Sequence, residues 1–345
     1  MTSSDVPALG IGVIGAGLIV SNAHLPAYRK AGFDVRAIFD VDQNRASSVA
    51  DTWDLDVCRS LDELLARDDI DVIDIAVTPT AQQSLARAVL ESGRHALAQK
   101  PLAHTLPEAE ALVQTAAASR RCLAVNQQMR WAPSVKAMKA ALREGTIGEP
   151  VLLSYRLNIA GEYPPDHWLS HEERYMASFG TIHYVDSARY LFGEPEKVTA
   201  RLLTDRVQNA TGETFINSWL EWPNGPVFVG FERYTNRTED EPVFMRLEGT
   251  EGVVKGTLGL YVNYPDGASD LVERMRYGGS WEIVDDEGRW LPDAFSGPML
   301  GLMNAILTDT EPPTSAADNL GTLRIVEALY RSNAEGRSIY LSEIG

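Results

Sequence analysis

The feature that most constrains the fold is an alternation of short apolar runs with amphipathic segments over the first 125 residues. The apolar runs are rich in Val, Ile and Ala, as expected for strands of a parallel sheet with both faces covered. They are residues 10–14, 34–39, 71–77, 95–98 and 121–125. Between them, apolar residues at helical spacing fall in residues 20–31, 43–53, 61–67, 80–92 and 106–119. This order predicts an α/β fold with a doubly wound parallel sheet.

The pattern changes after residue 125. A long strand is predicted over 151–159 and a helix near 177–192. Further strands with alternating polarity, typical of an antiparallel sheet open on one face, are predicted at 196–204, 213–222, 226–234, 243–249 and 252–256. Helices are predicted at 132–144, 296–308 and 316–334. We therefore expect two domains, an α/β domain over residues 1–125 and an α+β domain with a mainly antiparallel open sheet over residues 126–345.

Charge and composition exclude several classes of partner. The formal net charge is -17, which argues against nucleic acid, because phosphate binding needs clustered Lys and Arg. No stretch reaches the roughly 18 to 20 apolar residues of a membrane span. The two cysteines, Cys58 and Cys122, lie far apart in sequence, so a disulfide framework is not expected and a cytoplasmic location is favoured.

The turn after the first predicted strand is glycine-rich. Gly15 permits a tight turn, Gly17 lets the backbone approach a pyrophosphate, and the following helix start offers N–H groups to that anion. The third glycine of the usual pattern is replaced by Val20, so helix packing there must differ. The predicted cofactor-binding turn consists of Gly15, Ala16, Gly17, Leu18 and Ile19. An ordinary strand-to-helix turn is the alternative.

Asp40 strengthens the case for a dinucleotide. It ends the second predicted strand, 23 residues after Gly17, where a carboxylate accepts hydrogen bonds from the adenosine ribose and repels a 2′-phosphate. NAD is therefore preferred, and Arg45 close by in sequence leaves NADP possible.

Two more segments follow predicted strands, where ligands of open α/β sheets bind. Thr78 and Pro79 follow the strand at 71–77, and Gln99 and Lys100 follow the strand at 95–98. All four are predicted to bind the cofactor. Pro101 favours an extended conformation for Lys100 and fixes the next turn. A lysine after a strand is usually only solvated, but this edge of the sheet makes a functional role more attractive.

Taken together, the motifs resemble those of the glucose-fructose oxidoreductase and inositol dehydrogenase family, written Gfo/Idh/MocA. The matching segments are IGVIGAGLI, AIFDVD, AVTPT, QKP, NQQMRWAP, GTIGEPV, HYVDSARYLFGEP and RIVEALYRSNAEGRSIYL. The resemblance covers essentially the whole chain. It implies a Rossmann domain that binds NAD(P) and a second domain whose open sheet floors the substrate pocket and often mediates oligomers, here a homodimer or homotetramer.

The resemblance also implies catalytic residues. The lysine of the family's Glu-Lys-Pro motif matches Lys100, and its helix histidine matches His183. Two carboxylates are missing, because Gln99 replaces the usual glutamate and Phe179 occupies the place of an aspartate found four residues before the histidine in many relatives. Phe179 is expected to form an apolar wall of the substrate pocket instead.

The chemistry suggests how the two residues share the work. Removing the hydroxyl proton as a carbonyl forms needs a positioned base. A lysine with an ordinary pKa of about 10.4 is a poor base at neutral pH, although burial and a nearby nicotinamide cation would lower its pKa. His183 could be the base, with Lys100 holding the substrate oxygen.

Residues 161–175 are irregular and aromatic, and are expected to reach over the substrate or to pack on a neighbouring subunit. The predicted substrate-binding residues are Lys100, Tyr163, Asp166, His167, Trp168, Phe179 and His183. His167 and His171 lie four residues apart but lack the intervening glutamate of a zinc-binding helix, so no metal site is predicted.

Three other polar residues have a structural alternative. Arg130 is predicted at the cofactor edge, or else it ties the domain junction together. Asp186 is expected to cap a helix or to pair within the second domain, with Arg189 as the candidate partner, rather than to act in catalysis. His24, on the first predicted helix, is expected to be a packing residue.

The leading hypothesis is an NAD(P)-dependent oxidoreductase that transfers a hydride to or from a secondary hydroxyl of a sugar, sugar derivative or cyclitol. One alternative is a lyase or glycoside-cleaving enzyme in which tightly held NAD oxidises the substrate transiently and is regenerated. Another is a nucleotide-binding regulator without catalysis, suggested by Gln99 and Phe179. Retention of Lys100 argues against the regulator.

Overall fold

The computed structural model describes residues 8–160, 163–205, 209–235, 243–261, 267–284 and 288–345. The chain divides into two compact units. The first unit runs to Gln128 and also includes Leu291–Leu320. The second comprises Met129–Trp290 and Gly321–Gly345. All of the predicted site residues lie within the described residues, whereas residues 161 and 162 of the predicted irregular loop lie outside them.

The sheet of the first unit is parallel throughout. Its strands are β1 (Ile11–Ile14), β2 (Val35–Phe39), β3 (Asp56–Val57), β4 (Val72–Ile75), β5 (His95–Ala98) and β6 (Leu123–Val125). Their order across the sheet is β3-β2-β1-β4-β5-β6, the arrangement of a doubly wound dinucleotide-binding fold. The predicted fold class is confirmed here, and only the two-residue strand β3 was not predicted.

Helices connect these strands. They are α1 (Leu25–Ala31), α2 (Gln43–Trp53), α3 (Leu61–Leu65), α4 (Pro79–Glu91) and α5 (Leu106–Ser119). Local signals fix where they begin. The Asp42 carboxylate accepts hydrogen bonds from the first N–H groups of α2, and Thr105 with Glu108 forms a reciprocal cap at α5. The segment before α1, Val20–His24, is a π-helical turn.

The second unit contains a nine-stranded sheet. Its strands are β7 (Pro150–Asn158), β8 (Lys197–Leu203), β9 (Phe215–Glu221), β10 (Val227–Arg233), β11 (Phe244–Gly249), β12 (Gly252–Thr257), β13 (Leu271–Arg276), β14 (Glu282–Ile283) and β15 (Ile339–Tyr340). Their order is β14-β13-β12-β11-β7-β10-β9-β8-β15. Only β7 and β10 pair in parallel among these strands, so the prediction of a mainly antiparallel sheet is confirmed.

The helices of this unit include α6 (Pro133–Glu144) and α7 (Ile182–Phe192). A second π-helical turn, Ala177–Thr181, leads into α7. Along β9, buried residues alternate with more exposed ones, as a sheet with one covered face requires.

The prediction placed all of residues 126–345 in the second domain, whereas Leu291–Leu320 belong to the first compact unit. Helix α8 (Ser296–Thr308) belongs to the first unit. Its Met299, Leu302 and Met303 pack in one buried cluster with Ile11 and Leu97 of the parallel sheet. Burial of these apolar side chains gives the segment its place. The boundary between Leu320 and Gly321 falls inside the last helix, α9 (Ala316–Glu335).

None of the helices in the described ranges combines the length and apolar character needed to cross a membrane.

Candidate functional site

The glycine turn joins β1 to the π-helical turn. Gly15 has φ +104°, and a side chain there would collide with the carbonyl oxygen of Ala76. Around Gly17, by contrast, an added Cβ would meet no atom within 4 Å, so its backbone is open to a ligand. Val20, in place of the third glycine, is completely buried at the start of the π-helical turn. The predicted change in helix packing stays a prediction.

Asp40 has a second task beyond the one predicted. Its Oδ2 accepts a hydrogen bond of 2.7 Å from the N–H of Ala16, and its Oδ1 accepts one of 2.8 Å from the N–H of Asp42. The carboxylate therefore fixes the glycine turn to the end of β2. Each oxygen has a further lone pair, so these contacts still permit a hydrogen bond from a ribose hydroxyl.

A pocket of about 360 Å³ lies beside this turn. It is lined by Ala16, Gly17, Leu18, Ser21, Arg45, Ser48 and Val49. Leu18 is 77% exposed. The Arg45 guanidinium lies 3.3 Å from the Asp42 carboxylate, and both side chains are largely exposed. The guanidinium that lines this pocket is thus already paired with a carboxylate.

The turn after β5 carries Lys100 and is held by α4. Pro79 starts α4 and is buried, whereas Thr78 before it is exposed. One helical turn later, the Gln82 amide Nε2 donates to the carbonyl oxygens of Gln99 at 2.7 Å and Pro101 at 2.9 Å. Gln82 was not predicted as a site residue, and its role depends on a loop conformation that sequence patterns do not specify.

Lys100 is half-buried, and the peptide bond to Pro101 is cis. Burial disfavours the charged ammonium and lowers the pKa of Lys100 to about 8. The amine is therefore mostly protonated at neutral pH, yet within reach of deprotonation.

His24 has polar partners that the expectation of a packing residue did not include. Its Nδ1 lies 2.6 Å from Oδ2 of Asp74, in the middle of β4, and its Nε2 lies 3.0 Å from the amide nitrogen of Gln99. His24 and Asp74 are both fully buried. An acid within an otherwise apolar buried strand was the available signal, since a buried carboxylate needs a partner.

In the second unit, Arg130 and Asp186 form a buried ion pair. Arg130 Nε donates to Asp186 Oδ2 at 2.8 Å, and Arg130 Nη2 donates to Asp186 Oδ1 at 2.7 Å. The Thr322 hydroxyl donates to the same Oδ1 at 2.7 Å. Asp186 thus pairs within its own domain as predicted, but with Arg130 instead of Arg189, which is paired with Glu194. Arg130 has a structural task here, and a contact with the cofactor stays a prediction.

His183 lies in the first turn of α7 and is 6% exposed. Its ring meets Trp290 edge to face, with centroids 5.5 Å apart. The preceding π-helical turn is anchored by the buried carboxylate of Glu213, which accepts hydrogen bonds from the N–H of Ala177 at 2.8 Å and the Tyr330 hydroxyl at 2.6 Å. Glu213 was not predicted.

The predicted substrate residues of this unit include a row of contacting rings. Tyr163 and His167 are stacked at 4.6 Å between centroids, and Trp168 meets Phe179 edge to face at 5.4 Å. Asp166 is exposed. The apolar wall expected from Phe179 therefore extends to Trp168, which is 37% exposed. No three His, Cys, Asp or Glu side chains gather as metal ligands in the described part of the chain.

A further buried carboxyl, Glu232 on β10, lies among hydroxyl groups. The Tyr234 hydroxyl donates to its Oε2 at 2.8 Å, the Tyr155 hydroxyl donates to Oε1, and the Thr181 hydroxyl is a further partner. Burial outweighs these hydrogen bonds and raises the pKa of Glu232 to about 7.

The structure thus gathers the predicted residues into two sets. In the first unit, these are the glycine turn, Asp40, Thr78, Pro79, Gln99 and Lys100; in the second, Arg130, Tyr163, Asp166, His167, Trp168, Phe179 and His183.

Comparisons with known proteins agree with this division. A model of an oxidoreductase family with an NAD-binding Rossmann fold matches residues 9–127, and a model of the Gfo/Idh/MocA C-terminal domain matches residues 135–255.

Several whole proteins are similar along the chain. A D-apiose dehydrogenase from Paraburkholderia graminis is 29% identical, with 99% of this chain and 92% of that protein covered. A 1,5-anhydro-D-fructose reductase from Ensifer adhaerens is 25% identical over 71% of this chain and 74% of its own. The crystal structure of an oxidoreductase from Agrobacterium radiobacter, in complex with NAD+, L-tartaric acid and magnesium, is 26% identical with a TM-score of 0.85, covering 98% of this chain and 100% of that one.

Proposed function

Because the chain belongs to the Gfo/Idh/MocA family of NAD-dependent oxidoreductases, we propose that it transfers a hydride between NAD and a secondary hydroxyl of a sugar, sugar derivative or cyclitol. The observation that carries the proposal is Lys100, held in a half-buried turn after β5 with its pKa lowered to about 8. A buried amine with a lowered pKa at the carboxyl end of a parallel strand is the setting in which reactive lysines are found.

The first unit has the features that NAD requires. Gly17 leaves space for the pyrophosphate, the pocket beside it can receive the adenosine half, and Asp40 offers a carboxylate to the ribose. When bound, the nicotinamide supplies the hydride acceptor or donor. Pairing of Arg45 with Asp42 favours NAD over NADP, because it leaves less positive charge for a 2′-phosphate.

Two side chains would divide the proton chemistry. His183 takes the proton of the substrate hydroxyl as the carbonyl forms. The Lys100 ammonium donates a hydrogen bond to the same oxygen and stabilises its developing negative charge. This division fits a lysine that is mostly protonated at neutral pH.

The substrate class rests on the aromatic wall and on the relatives. Trp168 and Phe179 present flat apolar surfaces of the kind that packs against the C–H face of a sugar ring. Two similar proteins are named for sugar substrates, a D-apiose dehydrogenase and a 1,5-anhydro-D-fructose reductase. We therefore expect an uncharged sugar or cyclitol rather than a long apolar alcohol.

A homo-oligomer in the cytoplasm completes the proposal. The second sheet exposes large apolar residues, with Trp219 41% and Ile283 73% exposed, and such residues favour association. The two cysteines are free, as expected for a reducing compartment. Sedimentation velocity would measure the oligomeric state, and a purely monomeric species would refute this part.

The function is tested by incubating the purified protein with NAD and a panel of sugars and cyclitols. We expect one NADH for each substrate molecule oxidised. Substrate loss without net NADH would instead favour the lyase alternative, which recycles its cofactor. NAD binding with no turnover across aldoses, ketoses, cyclitols and their glycosides would favour the regulator.

A further inference from the structure

A line of buried hydrogen bonds runs from the middle of the parallel sheet to Lys100. Asp74 on β4 contacts Nδ1 of His24 at 2.6 Å, and Nε2 of His24 lies 3.0 Å from Nε2 of Gln99. Oε1 of Gln99 in turn accepts a hydrogen bond of 2.9 Å from the backbone N–H of Lys100. All four residues belong to the first unit.

The bond to Lys100 determines which way round the Gln99 amide lies. The backbone N–H of Lys100 can only donate, so it must meet the oxygen of the amide, and the NH2 group must then face His24. Nε2 of His24 therefore accepts a hydrogen bond. The Asn126 amide nitrogen, 3.3 Å away, points its own N–H groups at the same atom.

The acceptor role of Nε2 also determines the protonation of Nδ1 on the other side of the His24 ring. With Nε2 accepting, the single ring proton of a neutral imidazole is on Nδ1, where it donates to Asp74. The Tyr28 hydroxyl donates to the same carboxylate oxygen at 2.9 Å, and Phe295 packs on the ring with centroids 5.1 Å apart. Each polar atom facing His24 thus has a complementary role, which fixes one tautomer.

We propose that His24 is a positioning residue for Lys100 and acts through Gln99. The proposal rests on the function proposed above for Lys100. Gln99 has a partner on each side. Its side-chain amide contacts Nε2 of His24, and its backbone carbonyl oxygen accepts a hydrogen bond of 2.7 Å from Nε2 of Gln82. A glutamate at position 99 would have no N–H to give to Nε2. Glutamine at this position and a neutral His24 are therefore matched to each other.

The hydrogen bond itself can be tested without substrate. In protein labelled with ¹⁵N-histidine, the ring resonances of His24 are identified by their loss in His24→Asn. We expect one protonated and one bare ring nitrogen in the wild type, with the proton on Nδ1. In Gln99→Glu the new carboxylate should draw a second proton onto the ring, so both nitrogens become protonated. A bare Nδ1 in the wild type, or a ring unchanged in Gln99→Glu, would overturn the proposal.

The positioning role is tested by a double-mutant cycle. His24→Asn keeps an N–H for Asp74 but removes the acceptor for Gln99, and Gln99→Leu removes the link from the other side. Each should lower kcat by about 10- to 100-fold, as small displacements of a reacting group do, with KM for the substrate nearly unchanged. Because both break one path, the double variant should be no slower than the slower single one.

A matched control removes a histidine of the same sheet outside the network. His95 on β5 accepts a hydrogen bond from the N–H of Cys122, and His95→Asn should keep the wild-type kcat. Multiplied losses in the double variant, or wild-type kcat in His24→Asn, would overturn the role of His24 while Lys100→Met still abolished turnover. Turnover that survived Lys100→Met would instead remove the proposed function and this role with it, whereas the ring-nitrogen result would stand.

Discussion

Each of the two sheets contains a fully buried carboxyl group, Asp74 on β4 and Glu232 on β10, and the partners of the two groups differ. Asp74 in the parallel sheet contacts an imidazole and the Tyr28 hydroxyl. Glu232 in the antiparallel sheet contacts the hydroxyls of Tyr155, Tyr234 and Thr181. An imidazole can carry a proton and pass a hydrogen bond onward, whereas the Tyr155 and Tyr234 hydroxyls donate their single protons to the carboxyl.

The contacts of Asp74 hold side chains in fixed orientations, whereas Glu232 is a group whose charge changes with pH. In the first unit the contacts continue through Gln99 to the backbone of Lys100, so every group has one orientation. In the second unit burial raises the pKa of Glu232 to about 7. A group that changes charge near neutrality thus lies against Thr181, two residues before His183. Each unit also begins its site helix with a π-helical turn, a form often found at functional sites.

The largest effect is expected at Lys100, where the fixed arrangement ends. Lys100→Met removes the ammonium that stabilises the substrate oxygen, so kcat/KM should fall by about 10³- to 10⁴-fold. NAD affinity, followed by fluorescence titration, should stay within a few-fold. Lys30→Met, at an exposed residue of the same unit paired with Asp293, is the control and should leave the rate unchanged.

The pH dependence of kcat/KM tests in which protonation state Lys100 acts. If the ammonium is required, kcat/KM for oxidation should fall about tenfold per pH unit above pH 8, since the pKa of Lys100 is about 8. A rate that rises through pH 8 would make Lys100 the base and exchange the two proposed roles.

In the second unit, the largest effect is expected at His183. His183→Asn removes the proposed base and should lower kcat by about 10²- to 10³-fold, measured as initial rates of NADH formation. His171→Asn, at an exposed residue of the same unit, should have no effect. Equal rates in both variants would show that the second unit supplies no base at this position.

The titration of Glu232 should make the free energy of unfolding depend on pH. Its pKa is raised from 4.5 to about 7 in the folded state, so the folded protein binds more protons than the unfolded chain between these values. The free energy of unfolding should therefore decrease by roughly 3 kcal/mol as the pH rises from 4.5 to 7. Urea unfolding at several pH values would show this slope in the wild type and its loss in Glu232→Gln.

The control for that slope is Glu248→Gln on β11, where the glutamate is partly exposed and paired with Arg246. It should keep the wild-type pH dependence. A slope retained in Glu232→Gln would mean that another group titrates, and the contrast between the two sheets would be lost.

The smallest effect is expected at the adenosine end, away from both carboxyls. Asp42→Asn keeps an oxygen to cap α2 but releases the charge of Arg45, so kcat/KM with NADP should rise a few-fold. Asp34→Asn, which removes one of the two carboxylate partners of Arg36 in the same unit, should leave NADP use unchanged. No change in the first variant would show that Arg45 does not reach a 2′-phosphate.

The layered fold was predictable because its signals are local. Short apolar runs and helix caps identified both sheets and most helices. Segment 291–320 could not be assigned to the first unit, since its Met299 and Leu302 would suit any apolar surface. Short edge strands such as β3 and β15 carry too few residues to show a period.

The site was predictable only in part. Glycine spacing and strand ends pointed to Asp40 and Lys100, and family likeness pointed to His183. Their supports were not found, because Asp74, Gln82 and Glu232 act through contacts between segments far apart in sequence. Asp74 and Glu232 shared one visible signal, an acid inside a buried strand.

The central claim is that this chain moves a hydride from a sugar carbon to NAD with the help of Lys100. The most direct measurement uses the best substrate of the panel, deuterated at the reacting carbon, with mass spectrometry of the recovered cofactor. We expect reduced cofactor carrying one deuterium with the wild type and almost none with Lys100→Met. Substrate conversion that leaves no deuterium in the cofactor, or equal labelling with both proteins, would contradict the account.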